Sequence, residues 1–175
     1  EGRTTLRGVL AADDTEVMVQ ALRTLGVSLD SPAEGRWEIV GAPDGFPASE
    51  ARLFLGNAGT AFRSLTAVLA LRGGNYRLEG VPRMHERPIG DLVDALRMAG
   101  AQVTCVGSEG FPPLQIGPRT RAPGAVVRVR GKVSSQYLTA LLIAMAASGG
   151  GVRIAVDGEL ISRPYVDMTI ALLRR

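Results

Sequence analysis

The stretch LGNAGTAFRSLTA, residues 55–67, is the segment that decides the fold. Its turn of small residues, GNAGT at 56–60, leads directly into an apolar run that predicts a helix over about residues 61–71. Small residues let the backbone approach a ligand closely, and the helix directs unpaired N–H groups and the positive end of its dipole at the turn. The stretch therefore predicts an anion site at the start of a buried helix.

Two further segments place polar residues ahead of apolar helices. VSSQ at 133–136 precedes the apolar run 137–147, and RMHERP at 83–88 lies between the two predicted helix starts. Arginine favours planar recognition of phosphate and carboxylate groups. These features together predict a small substrate that carries several negative charges.

Composition favours one domain with a proper core and argues against a nucleic-acid groove. The 175 residues are 46% hydrophobic but only 5% aromatic, and the formal net charge is +3. Lys132 is the single lysine, so arginine carries nearly all the positive charge, and it is dispersed along the chain. We therefore expect a small-molecule substrate and no nucleic-acid partner.

The chain has one cysteine, Cys105, and one histidine, His85. They build neither a disulfide framework nor a metal cluster, so the sequence predicts no metal site and no cofactor. Cys105 lies in an alternating run at 101–106 that predicts a strand in which it is a small buried residue. The longest apolar run, 137–147, is far shorter than a membrane span, and we expect a cytoplasmic location without membrane contact.

A structural unit recurs along the chain and is most complete in the middle. After the turn at 56–60 come an apolar helix, a strand, an amphipathic helix and two strands, predicted at 61–71, 76–79, 89–99, 101–106 and 114–116. The helices after GNAGT and VSSQ are apolar on nearly all faces, which is typical of enclosed helices. The sequence thus predicts an α/β fold of repeated βαβαββ units, with buried helices surrounded by small mixed sheets and helix starts gathered at one end.

The two ends of the chain repeat parts of this unit. Residues 2–8 match 74–80, a helix at 15–25 matches 89–99, and a last strand follows at 37–40. Towards the other end, VSSQ opens a helix that Gly149–Gly151 terminate, a strand follows at 152–156, and Arg163-Pro164 match Arg87-Pro88. We expect one domain over residues 1–175, cut at both ends, because the last helix has no stop signal before Arg175. The alternative is an intact domain with atypical terminal repeats.

Four motifs in order, LGNAGTAFR, RMHERPIGDLVDAL, GKVSSQYLTALL and LISRPYVDMT, closely resemble the N-terminal globular domain of the 5-enolpyruvylshikimate-3-phosphate synthase family. The resemblance covers nearly the whole chain. It implies two domains, each of three βαβαββ units, and transfer of the enolpyruvyl group of phosphoenolpyruvate to the 5-hydroxyl of shikimate 3-phosphate, with release of phosphate. It also implies a role in the shikimate pathway of aromatic amino acid biosynthesis.

The resemblance implies site residues for both substrates. Shikimate 3-phosphate would be bound by Ser134, Ser135, Gln136, Ser162 and Tyr165. Phosphoenolpyruvate would be held by the backbone N–H of Gly59, by Arg87 and by Gln136. The Lys-Ser and Arg of the family's first helix, and the proton-moving groups of its C-terminal domain, are not in this sequence, so we expect half a site and no turnover by this chain alone.

One position departs from the family's pattern. The family has proline where this chain has Ser64, and a proline in the first turn of a helix stiffens it without loss of a hydrogen bond. Serine would let the helix shift and reposition Gly59. Changes at this position are associated in the family with tolerance of glyphosate, an inhibitor that occupies the phosphoenolpyruvate site.

Two other functions compete with this one. The related UDP-N-acetylglucosamine enolpyruvyl transferases carry a reactive cysteine in a Pro-Gly-Cys loop, whereas Cys105 lies in Val-Thr-Cys-Val. RNA 3′-terminal phosphate cyclases share the βαβαββ build but need a nucleotide-bound histidine, and His85 lies in a different setting. A non-catalytic scaffold, and self-association of the fragment through an open apolar groove, also remain.

Most of the candidate residues also have a purely structural interpretation. Thr60 could cap its helix, the SSQ segment could be a plain cap, and Ser162 could cap the last helix. Arg87 could pair with Asp91 on its own helix. The family resemblance favours the binding role over these interpretations for Gly59, Arg87, Ser134, Ser135 and Gln136. We predict that Asn57, Thr60 and Arg63 support the turn, that His85 lies at the surface, and that Asp14 or Thr15 caps the first helix.

Overall fold

Three consecutive α/β units, each with its own small sheet, make up the computed structural model. The structure describes residues 2–120, 122, 124–132, 134–149 and 151–174. Val133 of the predicted helix start, Gly150 of the predicted terminator and Arg175 lie outside these residues.

The first unit is a three-stranded antiparallel sheet with one helix. Its elements are β1 (Arg3–Arg7), α1 (Asp13–Thr24), β2 (Ser28–Ala33) and β3 (Arg36–Val40), with strand order β1-β3-β2. The predicted cap of α1 is wrong, because Ala12 is the N-cap residue. Thr15 instead lies in the first turn, where its hydroxyl oxygen accepts the Ala12 N–H at 3.1 Å, as the third helical residue of a capping box does.

The second unit has the complete βαβαββ order, which confirms the predicted repeat. Its elements are β4 (Glu50–Phe54), α2 (Gly59–Arg72), β5 (Asn75–Glu79), the short α3 (Pro82–His85), α4 (Gly90–Met98), β6 (Val103–Cys105) and β7 (Leu114–Ile116). The strand order is β4-β5-β7-β6, in which β4 and β5 are parallel and the other pairs antiparallel.

The third unit has a parallel two-stranded sheet and two helices. Its elements are β8 (Val126–Arg130), α5 (Ser135–Ala147), β9 (Arg153–Asp157) and α6 (Arg163–Leu173). A parallel pair needs a crossover connection, and α5 provides it here, as α2 does between β4 and β5.

Helices α2 and α5 pack against each other at the centre of the molecule, as their apolar sequences predict. Ala67, Leu69, Ala140 and Leu141 from these two helices have no exposed surface. The two helices run parallel, because their N-terminal turns are in contact and their C-terminal ends line one cleft.

Arg119 links the C-terminal ends of two helices. Its Nη1 donates to the Leu71 carbonyl of α2 at 2.5 Å and its Nη2 to the Ala99 carbonyl after α4 at 3.5 Å. Both carbonyls lie at helix C-termini, where carbonyl groups lack hydrogen-bond donors within their own helix. A cation there also interacts favourably with the negative end of the helix dipole.

The outer helices cover the inner ones in a regular way. Helix α1 packs on α2 of the next unit, and α4 packs on α5 of the next unit. Helix α6 packs on α5 but leaves an apolar side open, where Tyr165, Met168 and Leu172 are 63%, 66% and 68% exposed. None of the helices in the described residues is long and apolar enough to cross a membrane.

Candidate anion-binding site

The first turn of α2 starts without a side-chain cap. The chain turns at Gly56, which has φ of 54°, and the N-cap residue Ala58 has no polar side chain to offer the first N–H groups. Thr60, one candidate cap, lies inside the helix and is exposed, so that prediction is wrong. The N-terminal N–H groups of α2 are therefore left for water or a ligand.

Two arginine side chains meet over Gly59. A Cβ atom built on Gly59 would lie 2.6 Å from both terminal nitrogens of Arg87 and 2.7 Å from Nη1 of Arg63. Arg87 is held in place by Asn57, whose carbonyl accepts from Nη1 of Arg87 at 3.1 Å. Since real Cβ atoms do not approach other atoms so closely, only glycine leaves room for this arrangement.

The alternative role of Arg87, an ion pair with Asp91 on its own helix, does not form. Asp91 instead pairs with Arg130 of β8, across the second and third units. In the described parts of the chain no carboxylate lies within ion-pair distance of Arg87 or Arg63.

Arg63 is the most deeply buried charged group of this cluster. Its side chain belongs to a residue that is 8% exposed, its Nη1 donates to the Gly59 carbonyl at 3.1 Å, and its buried Nε has no partner. Burying a charge without an opposite charge is strongly unfavourable. The buried guanidinium of Arg63 and the half-buried one of Arg87 lie beside free helix N–H groups, and together they form a site whose electrostatics favour an anion.

The N-terminus of α5 lies against this cluster. Arg63 stacks on the Tyr137 ring, with 5.5 Å between the guanidinium carbon and the ring centroid, and the Tyr137 hydroxyl donates to the Pro88 carbonyl at 2.6 Å. Ser134 is the N-cap of α5, and its Oγ accepts the Gln136 N–H at 3.3 Å. Ser134 thus caps α5, which is the structural alternative for the SSQ segment, and Ser134, Gln136 and in part Ser135 are open to solvent.

The turn before α6 lies on the turn before α5. The Ile161 N–H donates to the Gly131 carbonyl at 3.1 Å, which brings Ser162 into the neighbourhood of the SSQ segment. Ser162 is in the N-cap position of α6, but its side chain makes no cap hydrogen bond, so that detail of the prediction is wrong. Its φ of 55° is left-handed, a conformation that non-glycine residues adopt at functional sites more than elsewhere.

Other predicted residues fall in less central positions. Tyr165 is 63% exposed on the open side of α6, and Ser64 is half-buried. His85, predicted at the surface, is half-buried with an unpartnered Nε2. Cys105 is buried in β6 as predicted, and its Sγ accepts the Gly110 N–H at 3.3 Å.

Arg63, for which the sequence predicts only support of the turn, is buried beside Gly59. The sequence carries a signal for this. Before the last residue of α2, Arg72, Arg63 is the one charged residue of the helix, and it follows Gly59 by four positions. On a helix, residues four apart lie on the same face. That spacing alone brings the Arg63 side chain back to the first turn.

Known proteins match this chain over its whole length. The family profile described as EPSP synthase (3-phosphoshikimate 1-carboxyvinyltransferase) matches residues 1–175. The 3-phosphoshikimate 1-carboxyvinyltransferase of Bordetella avium is 59% identical over 100% of this chain and 40% of its own length, and that of Nitrosomonas europaea is 55% identical over the same shares. The chain thus spans about 40% of the length of these curated relatives.

A solved structure shows the same fold. The EPSP synthase from Acinetobacter baumannii is 30% identical and superposes with a TM-score of 0.76, over 85% of this chain and 34% of that chain. The family profile covers the GNAGT turn, the RMHERP segment at residues 83–88 and the SSQ segment. The chain therefore belongs to the EPSP synthase family.

Proposed function

We propose that this chain forms the N-terminal globular domain of an enzyme that transfers the enolpyruvyl group of phosphoenolpyruvate to the 5-hydroxyl of shikimate 3-phosphate and releases phosphate. The single observation that supports this best is the pair of guanidinium groups, from Arg63 and Arg87, that meet over Gly59 without a carboxylate partner in the described residues. A small anion stabilises such a pair, and both substrates of the family's reaction, phosphoenolpyruvate and shikimate 3-phosphate, are small anions. The reaction would take place in the cytoplasm, as a step of aromatic amino acid biosynthesis.

Phosphoenolpyruvate would bind at the start of α2. The Gly59 N–H is among the first N–H groups of α2, the Arg87 guanidinium lies next to Gly59, and each would donate to an anionic oxygen without bringing a negative charge of its own. Gln136 at the start of α5 would lie between the two substrates, because Tyr137, the next residue, already touches the Arg87-Pro88 loop.

Shikimate 3-phosphate would bind between the N-terminal ends of α5 and α6. The N-cap Ser134 and the first helical residues Ser135 and Gln136 belong to α5, and the N-cap Ser162 and Tyr165 of the first helical turn belong to α6. The hydrogen bond from Ile161 to Gly131 holds the segments before these two helices together. Hydroxyl and N–H donors at a helix N-terminus are suited to a phosphate group.

The open side of α6 supports the proposal of a larger protein. Helices α1 and α4 each cover the inner helix of the following unit, so the equivalent partner of α6 would be an inner helix of the first unit. The described part of the first unit has no such helix. We propose that this helix and a second domain belong to the complete enzyme and bring the groups that move protons, so that residues 1–175 alone have no turnover.

The test compares the full-length protein with the isolated chain. Phosphate release and formation of the enolpyruvyl product are measured with both substrates, and we expect turnover by the full-length protein and none by residues 1–175. Failure of the full-length protein to turn over would refute the proposed function, and turnover by the isolated chain would refute the division of the site.

Binding to the half-site is measured separately by NMR. Shikimate 3-phosphate is titrated into the isolated chain while the amide signals of Gly59, Ser134, Ser135 and Ser162 are followed. Saturable shifts at the two serines of α5 are expected for a preformed phosphate site. Sedimentation of the same sample shows whether copies of the chain associate.

A further inference from the structure

A closed circuit of contacts connects the first turn of α2 with the first turn of α5, and Arg63 is its central member. We propose that Arg63 is a positioning residue that fixes the phosphoenolpyruvate half of the site to the N-terminus of α5. This inference rests on the proposed function, and it adds a residue to which that function assigned only support of the turn.

Arg63 acts through its neighbours. The residue is 8% exposed and its Nε is enclosed without a partner, so little of the guanidinium is accessible to solvent, although Nη1 lies next to Gly59. Its Nη1 holds the Gly59 carbonyl at 3.1 Å. The side chain thereby orients the first peptide groups of α2, whose N–H groups would bind the anion.

The other side of Arg63 is set by α5. The guanidinium lies over the Tyr137 ring at 5.5 Å, and the Tyr137 hydroxyl donates to Pro88 at 2.6 Å. Arg87, next to Pro88, returns to the turn before α2 through its bond to Asn57. A displacement of the Tyr137 ring is therefore passed to Gly59 through Arg63 and to Arg87 through Pro88.

The charge of Arg63 has a second effect. Because Arg63 and Arg87 both come within 2.7 Å of the position that a Cβ atom on Gly59 would occupy, the two cations repel each other until an anion binds. Loss of the Arg63 charge removes part of the attraction for the anion and leaves the fold with one less unpaired buried charge. Replacing buried ionic groups by apolar ones of similar size is often neutral or stabilising.

The test uses the full-length protein with Arg63→Met, Arg63→Lys and the control Arg72→Met. Arg72 is on the same helix, but at its far end, where it donates to loop carbonyls. We expect Arg63→Met to raise the KM for phosphoenolpyruvate about tenfold or more, because the Gly59 peptide loses its anchor and the site loses a positive charge, with an unchanged or higher melting temperature. The KM for shikimate 3-phosphate should stay within about threefold of wild type, and Arg72→Met should change neither KM.

Rescue and coupling separate positioning from packing. Arg63→Lys keeps the charge and should restore most of the affinity for phosphoenolpyruvate. Tyr137→Phe keeps the ring and loses the hydrogen bond to Pro88. In the double variant with Arg63→Met, the increase of the KM for phosphoenolpyruvate should be smaller than the product of the two single increases, because both residues act through one circuit.

Three results would overturn the inference: an unchanged KM for phosphoenolpyruvate in Arg63→Met, equal increases of both KM values with a lower melting temperature, or multiplicative effects in the double variant. If the wild-type protein shows no turnover, the proposed function fails. The inference is then decided by the dissociation constant of inorganic phosphate, measured calorimetrically on the same variants, which Arg63→Met should raise and Arg72→Met should not.

Discussion

Gly59→Ala tests whether the space above the first turn of α2 is an anion site. The new methyl group would lie 2.6 Å from the terminal nitrogens of Arg87 and 2.7 Å from Arg63. The guanidinium groups must retreat by about 1 Å to regain van der Waals separation. Both are the far ends of flexible side chains, and the φ of Gly59 is outside the left-handed region, so the helix itself tolerates alanine.

The expected loss is that of one charge-assisted hydrogen bond to the anion. Such bonds contribute about 1.5–3 kcal/mol, which corresponds to about a 10- to 150-fold higher KM for phosphoenolpyruvate. Stability should stay about the same, because Gly59 is the first residue of α2 and gains less from alanine than the about 1 kcal/mol of a helix interior. The affinity for phosphoenolpyruvate is therefore expected to fall without a matching loss of stability.

The assay measures initial rates of phosphate release by the full-length protein, with each substrate varied in turn, beside urea unfolding. Gly107→Ala is the matched control, because its added Cβ would find only Pro113 Cδ at 3.9 Å, an ordinary contact. An unchanged KM for phosphoenolpyruvate in Gly59→Ala would refute the anion site. A large loss of stability would show that more than flexible side-chain ends is displaced.

Three further predictions concern stability and inhibition. Arg119→Met leaves the Leu71 and Ala99 carbonyls without their donor and should lower the free energy of unfolding by about 1–3 kcal/mol in urea titrations, with Arg119→Lys intermediate. Burial raises the pKa of Tyr76 above its ordinary value of 10.0. The neutral phenol therefore contributes fully to the stability of the fold below pH 10, and this contribution is lost as the pH rises further. Melting temperatures recorded from about pH 8 to about pH 11 should therefore fall more steeply for wild type than for Tyr76→Phe. Ser64→Pro in the full-length protein should increase inhibition by glyphosate, and identical inhibition would contradict a role for this position.

Ser64 lies deeper in α2 than the comparison with a first-turn proline assumes. It is the sixth residue of α2 and not part of its first turn, so a proline there removes a regular helix hydrogen bond and crowds the carbonyl of Thr60. We therefore expect Ser64→Pro to lower stability as well, and inhibition must be compared at equal amounts of folded protein.

The helices and the repeat could be predicted because their signals are local. Apolar periodicity and glycine stops place α2, α4 and α5 within two residues of their observed bounds. Strands β2, β4 and β8 are not among the elements that the sequence predicts, and each is short with only one or two buried residues. In β2, only Leu29 is buried, and pairing with β3, which no local pattern reports, makes it a strand.

The site could be predicted only in part. Arg87 follows Gly59 by nearly thirty residues, and no spacing rule brings them together, so the family resemblance supplied that pair. Their approach depends on the packing of α2 with the loop after α3 and on the space that glycine leaves. The burial of Arg63 depends on Tyr137 from another unit and is equally a tertiary property.

The parallel packing of α2 and α5 sets like poles of two helices side by side. At the carbonyl end Arg119 offsets part of the repulsion, but the amide end holds two further cations, Arg63 and Arg87, and among the described residues no carboxylate lies within ion-pair distance of either. A bound anion would therefore act as a counter-ion for the folded chain alone. Ligand that binds only the native state adds to its stability, so the amount of folded protein would follow the supply of that anion.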